Sequence, residues 1–172
     1  VPAATTVANI NASLAAAGRI AGTVTGPDET TGLQGVYVRC YIRNGSYWEE
    51  IGYSYTDEDG HYEIGNLAAG SYRVVFRDWS DTYLSETYND VPGMAPANGI
   101  DVVVVVYETT AGIDASLTEG AEITGTVTGP AGITVLEGIH VGAFTWNGAE
   151  QYWDWIASAD TVADGRYEIS GL

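Results

Sequence analysis

Between residues 36 and 42, apolar Val36, Val38, Cys40 and Ile42 alternate with Tyr37, Arg39 and Tyr41. A period of two is the signature of a strand with one buried face. The same reading predicts strands over residues 19–25, where Ile20, Gly22 and Val24 share a face, and over residues 47–56. It predicts others at Tyr62-Glu63-Ile64 and over residues 71–76, where Tyr72, Val74 and Phe76 point one way. Residues 101–108 contain five consecutive valines. Such a run predicts a strand buried on both faces, or one covered by a neighbour. Residues 111–117 supply a last strand. Between these lie turn signals: residues 26–32 with Pro27 and Asp28, the hairpin dipeptide Asn44-Gly45, Asp59-Gly60, and Leu67-Ala68-Ala69-Gly70. Residues 77–99, rich in Asp, Tyr, Pro and Asn, read as a long loop.

The pattern then starts again. Residues 10–27 (INASLAAAGRIAGTVTGP) return as residues 113–130 (IDASLTEGAEITGTVTGP), with eleven of eighteen positions identical and no gap, an offset of 103. A period of that length suits one small domain, so the chain reads as part of a tandem array. Residues 5–14 match residues 109–117, so residues 1–17 are expected to be the last strand of a preceding repeat plus a linker, with residues 15–18 as a hinge. Residues 18–117 are expected to form one complete β-sandwich. Residues 118–172 form a second, with strands at 122–128, 138–146, 151–161 and 166–169. Two residues inserted after Asn147-Gly148 move the offset to 105, so that Tyr152 matches Tyr47. Leu172 matches Leu67, and counterparts of the last three strands are missing. Either the chain was cut from a longer array or another molecule supplies the pairing. The absence of an initial Met and of a signal peptide marks Val1 as a mature or excised end.

Composition narrows the function classes. The chain carries 23 Asp and Glu against 6 basic residues, all arginine, for a net charge of −17. That charge repels nucleic acid and anionic membrane surfaces. It suits a salty or calcium-rich exterior, and equally a solubility role. No apolar run reaches the ~20 residues that a spanning helix needs, so no membrane insertion is expected of this segment. With Cys40 as the single cysteine, no disulfide can form within the chain.

The frame Gly22-Thr23-Val24, Leu33-Gln34-Gly35-Val36-Tyr37-Val38, Thr56-Asp57-Glu58-Asp59-Gly60-His61-Tyr62-Glu63-Ile64 and Leu67-Ala68-Ala69-Gly70-Ser71-Tyr72-Arg73-Val74 resembles the carboxypeptidase regulatory-like domains. These are close to the Cna-B-type repeats of bacterial surface proteins. The resemblance spans residues 19–117 and again 122–172. It implies an all-β chain of tandem seven-stranded prealbumin-like (Ig-like) β-sandwiches, the second incomplete. It also implies an extracellular or cell-surface stalk, spacer or adhesive unit. One departure matters: many Cna-B-type domains join a lysine to an asparagine through an isopeptide bond, and this chain has no lysine.

Candidate chemistry is sparse. His61 and His140 show no catalytic partner in sequence, and Cys40 sits at an inward strand position, so no catalytic residue is assigned. No cofactor is expected, with calcium the one candidate ion. Asp57, Asp59 and Glu63, with Glu58, gather oxygens around one turn, although Asp-Gly is also plain turn chemistry. The loop residues Asp78, Asp81, Glu86, Asn89 and Asp90 form a second oxygen-rich group. Asn11-Ala12-Ser13 and Asn44-Gly45-Ser46 are glycosylation sequons, with Asn11 and Asn44 as acceptors. Trp48, Trp79 and Trp153 are candidate glycan-stacking aromatics, against the ordinary alternative of core and cross-strand packing.

These features predict a non-enzymatic extracellular structural repeat protein: a stalk, filament or surface-layer component. Its expected partners are neighbouring copies or repeats of the same protein, joined head to tail by strand complementation. The alternative is a carbohydrate- or receptor-binding module of a secreted enzyme or adhesin.

Overall fold

The computed structural model describes residues 9–172, so residues 5–8 of the expected leading strand lie outside the described residues. The chain is all-β. Repeat one contains the long strands β1 (Gly18–Thr25), β2 (Tyr37–Asn44), β3 (Tyr47–Tyr55), β4 (His61–Leu67) and β5 (Gly70–Arg77). Shorter pieces follow: β6 (Glu86–Thr87), β7 (Val91–Pro92), β8 (Val102–Val104), β9 (Thr109–Thr110) and β10 (Ala115–Ser116). They form a sandwich. One sheet pairs β4 antiparallel to β1, with β9 and β10 parallel along the other edge of β1. The second sheet runs β3–β2–β5, and β8 and the β6–β7 hairpin share the far edge of β5.

The alternating positions meet between the sheets. Ile20 and Val24 from β1, Tyr62 and Ile64 from β4, Val38 and Cys40 from β2, and Tyr72, Val74 and Phe76 from β5 are all buried in one core. Tyr62 and Phe76 meet edge-on across it, ring centroids 5.9 Å apart. Burial pushes the Cys40 thiol up to about 12, so it is an inert core filler.

Three expectations change. The valine run is not buried on both faces: Val102 and Val104 enter the core, while Val103 and Val105 face solvent. β8 lies at a sheet edge with nothing over its outer face, so the pleat sorts identical side chains into two environments. The last strand is split into β9 and β10, separated by Gly112 at φ +76°. The segment expected as a long loop instead folds into the β6–β7 hairpin and a 3-10 turn at Pro96–Asn98, with Thr87 fully buried and donating to the Gly93 carbonyl at 2.9 Å.

Repeat two contains β11 (Ile123–Thr126), β12 (His140–Asn147), β13 (Tyr152–Asp160) and β14 (Arg166–Ile169). It reproduces repeat one in detail. A register shift falls between Cys40 and Tyr41 on β2, and another between their counterparts Ala143 and Phe144 on β12. Thr56 is buried and latches two segments: its hydroxyl accepts from the Val36 N–H at 2.9 Å and donates to the Leu33 carbonyl. Thr161 does the same with the Ile139 N–H (2.9 Å) and the Leu136 carbonyl (2.6 Å). Gly60 has φ +80° and Gly165 φ +78°, and a Cβ would collide with the Val24 carbonyl of β1 at the first and with the Val127 carbonyl, just after β11, at the second.

The linker between the repeats is pinned. Leu84 N–H donates to the Thr118 carbonyl at 2.8 Å, and Gly120 N–H to the Thr82 carbonyl at 2.9 Å. Among the described residues no helix is long and apolar enough to cross a membrane.

Two stability predictions follow from this packing. Thr56→Val keeps the shape but strands the buried Val36 N–H and Leu33 carbonyl, so it should lower unfolding stability by about 1–3 kcal/mol in a urea titration. An unchanged midpoint would show that the latch is dispensable. Glu86 concerns pH. Burial, reinforced by the Asp90 charge, pushes its carboxyl from 4.5 up to about 7, and its Oε1 is enclosed without a hydrogen-bond partner. The folded state therefore binds this proton more tightly than the unfolded chain, and stability declines as pH rises from about 4.5 to about 7. Glu86→Gln should leave stability at pH ~4 unchanged and raise it at pH ~8 by about 1 kcal/mol, allowing for solvent screening of a half-buried group. An equal effect at both pH values would exclude the linkage.

Candidate functional site

The outer face of the β3–β2–β5 sheet gathers most of the cations of this acidic chain. The pleat that sends Val38, Cys40 and Ile42 inward sends Tyr37, Arg39, Tyr41 and Arg43 outward along β2. Strand register places Tyr55, Tyr53, Glu50 and Trp48 of β3 opposite them in that order. On the other side Arg77 lies opposite Tyr37, and Arg73 opposite Tyr41. Four of the six arginines thus share one face.

These groups hold one another. Tyr37 lies 5.3 Å from Tyr53, 4.9 Å from Tyr55 and 6.1 Å from Trp79, ring centroid to centroid. Arg77 stacks on Trp79 at 4.0 Å, and Arg73 and Arg43 sit over Trp48 at 5.4 and 5.9 Å. Arg39 lies between the rings of Tyr37 and Tyr41 at 5.6 and 5.5 Å. The guanidiniums of Arg39 and Arg77 also donate to the Met94 sulfur, at 3.6 and 3.3 Å. Arg73 pairs closely with Asp101 at 3.1 Å, while the other carboxylate partners lie at longer range: Arg39–Glu50 at 3.7 Å and Arg77–Asp81 at 3.8 Å. Nε of Arg39, Arg73 and Arg77 is enclosed with no acceptor among the described residues, so ring faces supply much of what these cations meet. Tyr37 and Tyr41 donate to Glu50 at 3.2 and 3.4 Å. Desolvation, then the Glu50 charge, raises the Tyr37 hydroxyl above the usual phenol range. Desolvation likewise raises that of Tyr41, with Arg39 opposing.

Trp79 is 57% exposed and stands beside Tyr37 and Arg77, whereas Trp48 is half-buried under its two arginines. Trp153 is exposed on repeat two and packs edge-on against Trp146, centroids 5.4 Å apart. The tryptophans named in the sequence therefore occupy three different settings. The arginine ladder escaped sequence reading, although its signal, the alternation of Tyr and Arg between apolar residues, was present. Repeat two places His140, Gly142, Phe144 and Trp146 at the matching positions, so the ladder belongs to repeat one.

The other candidates are placed as follows. Asp57 Oδ1 accepts from the Asp59 and His61 N–H groups at 3.0 and 2.9 Å, and Glu63 is paired with Arg19 at 2.7 Å. Asp57 and Glu63 thus serve the turn and an ion pair, and among the described residues no three His, Cys, Asp or Glu side chains gather as a metal site. In the second oxygen-rich group, Asp78 caps the turn through Ser80, Thr82 and Tyr83. Asn11 lies exposed in a segment without regular secondary structure. Asn44 stands at the hairpin with its amide donating to Tyr47 Oη at 2.8 Å and Glu49 at 2.9 Å. Both histidines have partners that only strand register reveals: His61 Nδ1 is 3.0 Å from Thr23 Oγ1, and His140 Nδ1 is 2.8 Å from Asp160.

A second feature is an open edge. β11 has β14 on one side and, among the described residues, no strand on the other, whereas its counterpart β1 is flanked on both. Ile123 is 46% exposed where Ile20 is wholly buried, and Ile139 is 38% exposed where Val36 is 2%. A groove of ≈ 620 Å³ lies against this sheet, with Thr124, Thr126, Tyr167 and Glu168 in its wall.

No protein-family model matches the chain, and no curated protein matches it. The resemblance to carboxypeptidase regulatory-like domains therefore stands on the motif residues alone. Solved structures with similar architecture include the Bacillus anthracis TIE protein, at 19% identity over 89% of this chain and 26% of that one, TM-score 0.42. A streptococcal ancillary pilin is 16% identical over 91% of this chain and 50% of that one, TM-score 0.44. The minor pilin of Streptococcus agalactiae is 18% identical over 67% and 48%, TM-score 0.43. The chain spans half or less of each of these proteins. At these identities and TM-scores the likeness carries no conclusion about family or function.

Proposed function

We propose that this chain is a non-enzymatic structural repeat protein of the cell exterior, part of a stalk, filament or surface layer whose units associate head to tail. The observation that carries the reading is the tandem recurrence of one sandwich, latch for latch and bulge for bulge, with the linker at Thr118 and Gly120 hydrogen-bonded to Thr82 and Leu84. Repeated units stabilised by neighbour contacts give length and stiffness. The net charge of −17 keeps such an array soluble and draws cations to it. Antibody labelling of intact producing cells tests the location: label on unpermeabilised cells is expected, and label only after permeabilisation would sink the reading.

The arginine–aromatic face favours a second reading, a carbohydrate- or receptor-binding module of a secreted enzyme or adhesin. Ring faces at Trp79, Tyr53 and Tyr55 offer stacking area, and adjacent guanidiniums suit anionic sugars. On an array of acidic and neutral oligosaccharides, retention of uronic-acid-containing glycans is expected, weakened about tenfold by Trp79→Ala. No retention at millimolar glycan would rule this reading out.

A further inference from the structure

The two repeats meet along a cleft of ≈ 640 Å³. Repeat one contributes Arg77, Asp81 and Met94 to its wall, and repeat two contributes Trp155, Ile156 and Ser158 of β13. Clefts of about 300–1,000 Å³ between domains are where small ligands bind. The walls are held in place. A Cβ on Gly171, whose φ is +73°, would stand 3.2 Å from Asp81 Cβ, so the turn after β14 rests on Asp81. Leu84, on the repeat-one wall, is tied to the linker through the Thr118 carbonyl at 2.8 Å. β13, like β3 of repeat one, is the outermost strand of its sheet, and β5 of repeat one joins that sheet on the far side of β2. Ile156 is accordingly as exposed, at 42%, as its counterpart Ile51, at 41%. Trp155 matches Glu50, which is exposed as well.

Arg77 joins the arginine ladder to this cleft. Its guanidinium stacks on Trp79 at 4.0 Å, donates to the Met94 sulfur at 3.3 Å and reaches Asp81 only at 3.8 Å. A thioether is a weak acceptor, so the cation is positioned without being neutralised. A carboxylate entering the cleft can engage the guanidinium fork with charge-assisted hydrogen bonds that no group of the chain makes with it at close range. Asp81, beside it, is an acceptor for hydroxyl groups. From the other repeat Trp155, 59% exposed, adds a flat apolar ring with a polar edge. A cation, a hydroxyl acceptor and an aromatic face around one cleft match a molecule that carries a carboxylate, hydroxyls and an apolar ring face.

We infer that the cleft between the repeats binds an isolated uronic-acid residue of an otherwise neutral oligosaccharide, with Arg77 on its carboxylate, Asp81 on a hydroxyl and Trp155 stacked on a sugar ring. The inference rests on the carbohydrate-binding reading above and adds to it a subsite that only two joined repeats possess, since Arg77 comes from one and Trp155 from the other. The net charge of −17 sets the class of glycan. A polyanion is repelled along its whole length, whereas a single carboxylate meets one locally cationic spot. Selectivity for the acidic sugar therefore belongs to Arg77, and contact area to Trp155.

The indole N–H resonances of the five tryptophans, followed by NMR in the 172-residue chain, locate the site. Titration with a glucuronosyl-glucose disaccharide is expected to move Trp155 and, through Arg77, Trp79, while Trp146 and Trp153 stay in place. A glucosyl-glucose disaccharide should bind about tenfold more weakly, the effect of losing one charge-assisted contact. Arg77→Gln should bring the two disaccharides to equal affinity, and Trp155→Ala should weaken both about tenfold. The amide spectrum of each variant reports that its fold is retained. Retention of acidic glycans on the array that neither Trp155→Ala nor Arg77→Gln alters would overturn the inter-repeat site and leave the carbohydrate reading standing on the sheet face. Tighter binding of polygalacturonate than of the disaccharide, per uronic residue, would rule out the isolated-carboxylate class. Silence of every indole, with no glycan retained, would sink the site together with the reading it rests on.

Discussion

The completion of one strand edge decides what each repeat can be. In repeat one, β1 is hydrogen-bonded on both sides, and the last strand closes the core by seating Ile113 and Leu117 beneath it. The Tyr62 hydroxyl on the Ile113 carbonyl ties that strand to β4, and Tyr62 meets Phe76 of the opposite sheet. Two sheets, the closing strand and the aromatic bridge therefore converge on one place. Among the described residues of repeat two, no strand lies at the corresponding place. The apolar positions lie open and the counterpart tyrosine leans into the gap. An unpaired parallel edge beside exposed isoleucines is unfavourable in water because backbone groups and apolar surface are both left to the solvent.

The outer face of repeat one has a different logic. In a chain with far more carboxylates than cations, four arginines are collected on one sheet and held by rings, a thioether and carboxylates, of which only Asp101 makes a close pair, with Arg73. Cation–ring stacking rigidifies long side chains without neutralising them. The corresponding hairpin of repeat two forms with other outward residues, His140, Gly142, Phe144 and Trp146. A feature that one repeat carries and its sibling lacks is separable from folding.

Much of the architecture was legible in the chain. The alternation at Val36, Val38, Cys40 and Ile42, the turns at Asn44-Gly45 and Asp59-Gly60, and the repeat offset located the main strands of both units within a few residues. Local signals sufficed because each depends on neighbours in sequence: pleat periodicity, positive φ at glycine, the hairpin dipeptide. The oxygen-rich turn at Asp57, Asp59 and Glu63 was visible too, but not that Asp57 would cap backbone amides and Glu63 pair with Arg19 from the neighbouring strand.

The sequence by itself determined that the chain is all-β, that it repeats, that it is acidic and that no lysine is available for an isopeptide cross-link. Only the tertiary structure decided which face of the valine run is covered, that Thr56 and Thr161 act as buried latches, that the arginines of β2 and β5 meet over aromatic rings, and that among the described residues β11 pairs with β14 alone. The reason is physical. Periodicity assigns a side chain to one of two faces, but what covers a face, and which strand lies against an edge, are set by segments distant along the chain that meet only when the sheets close.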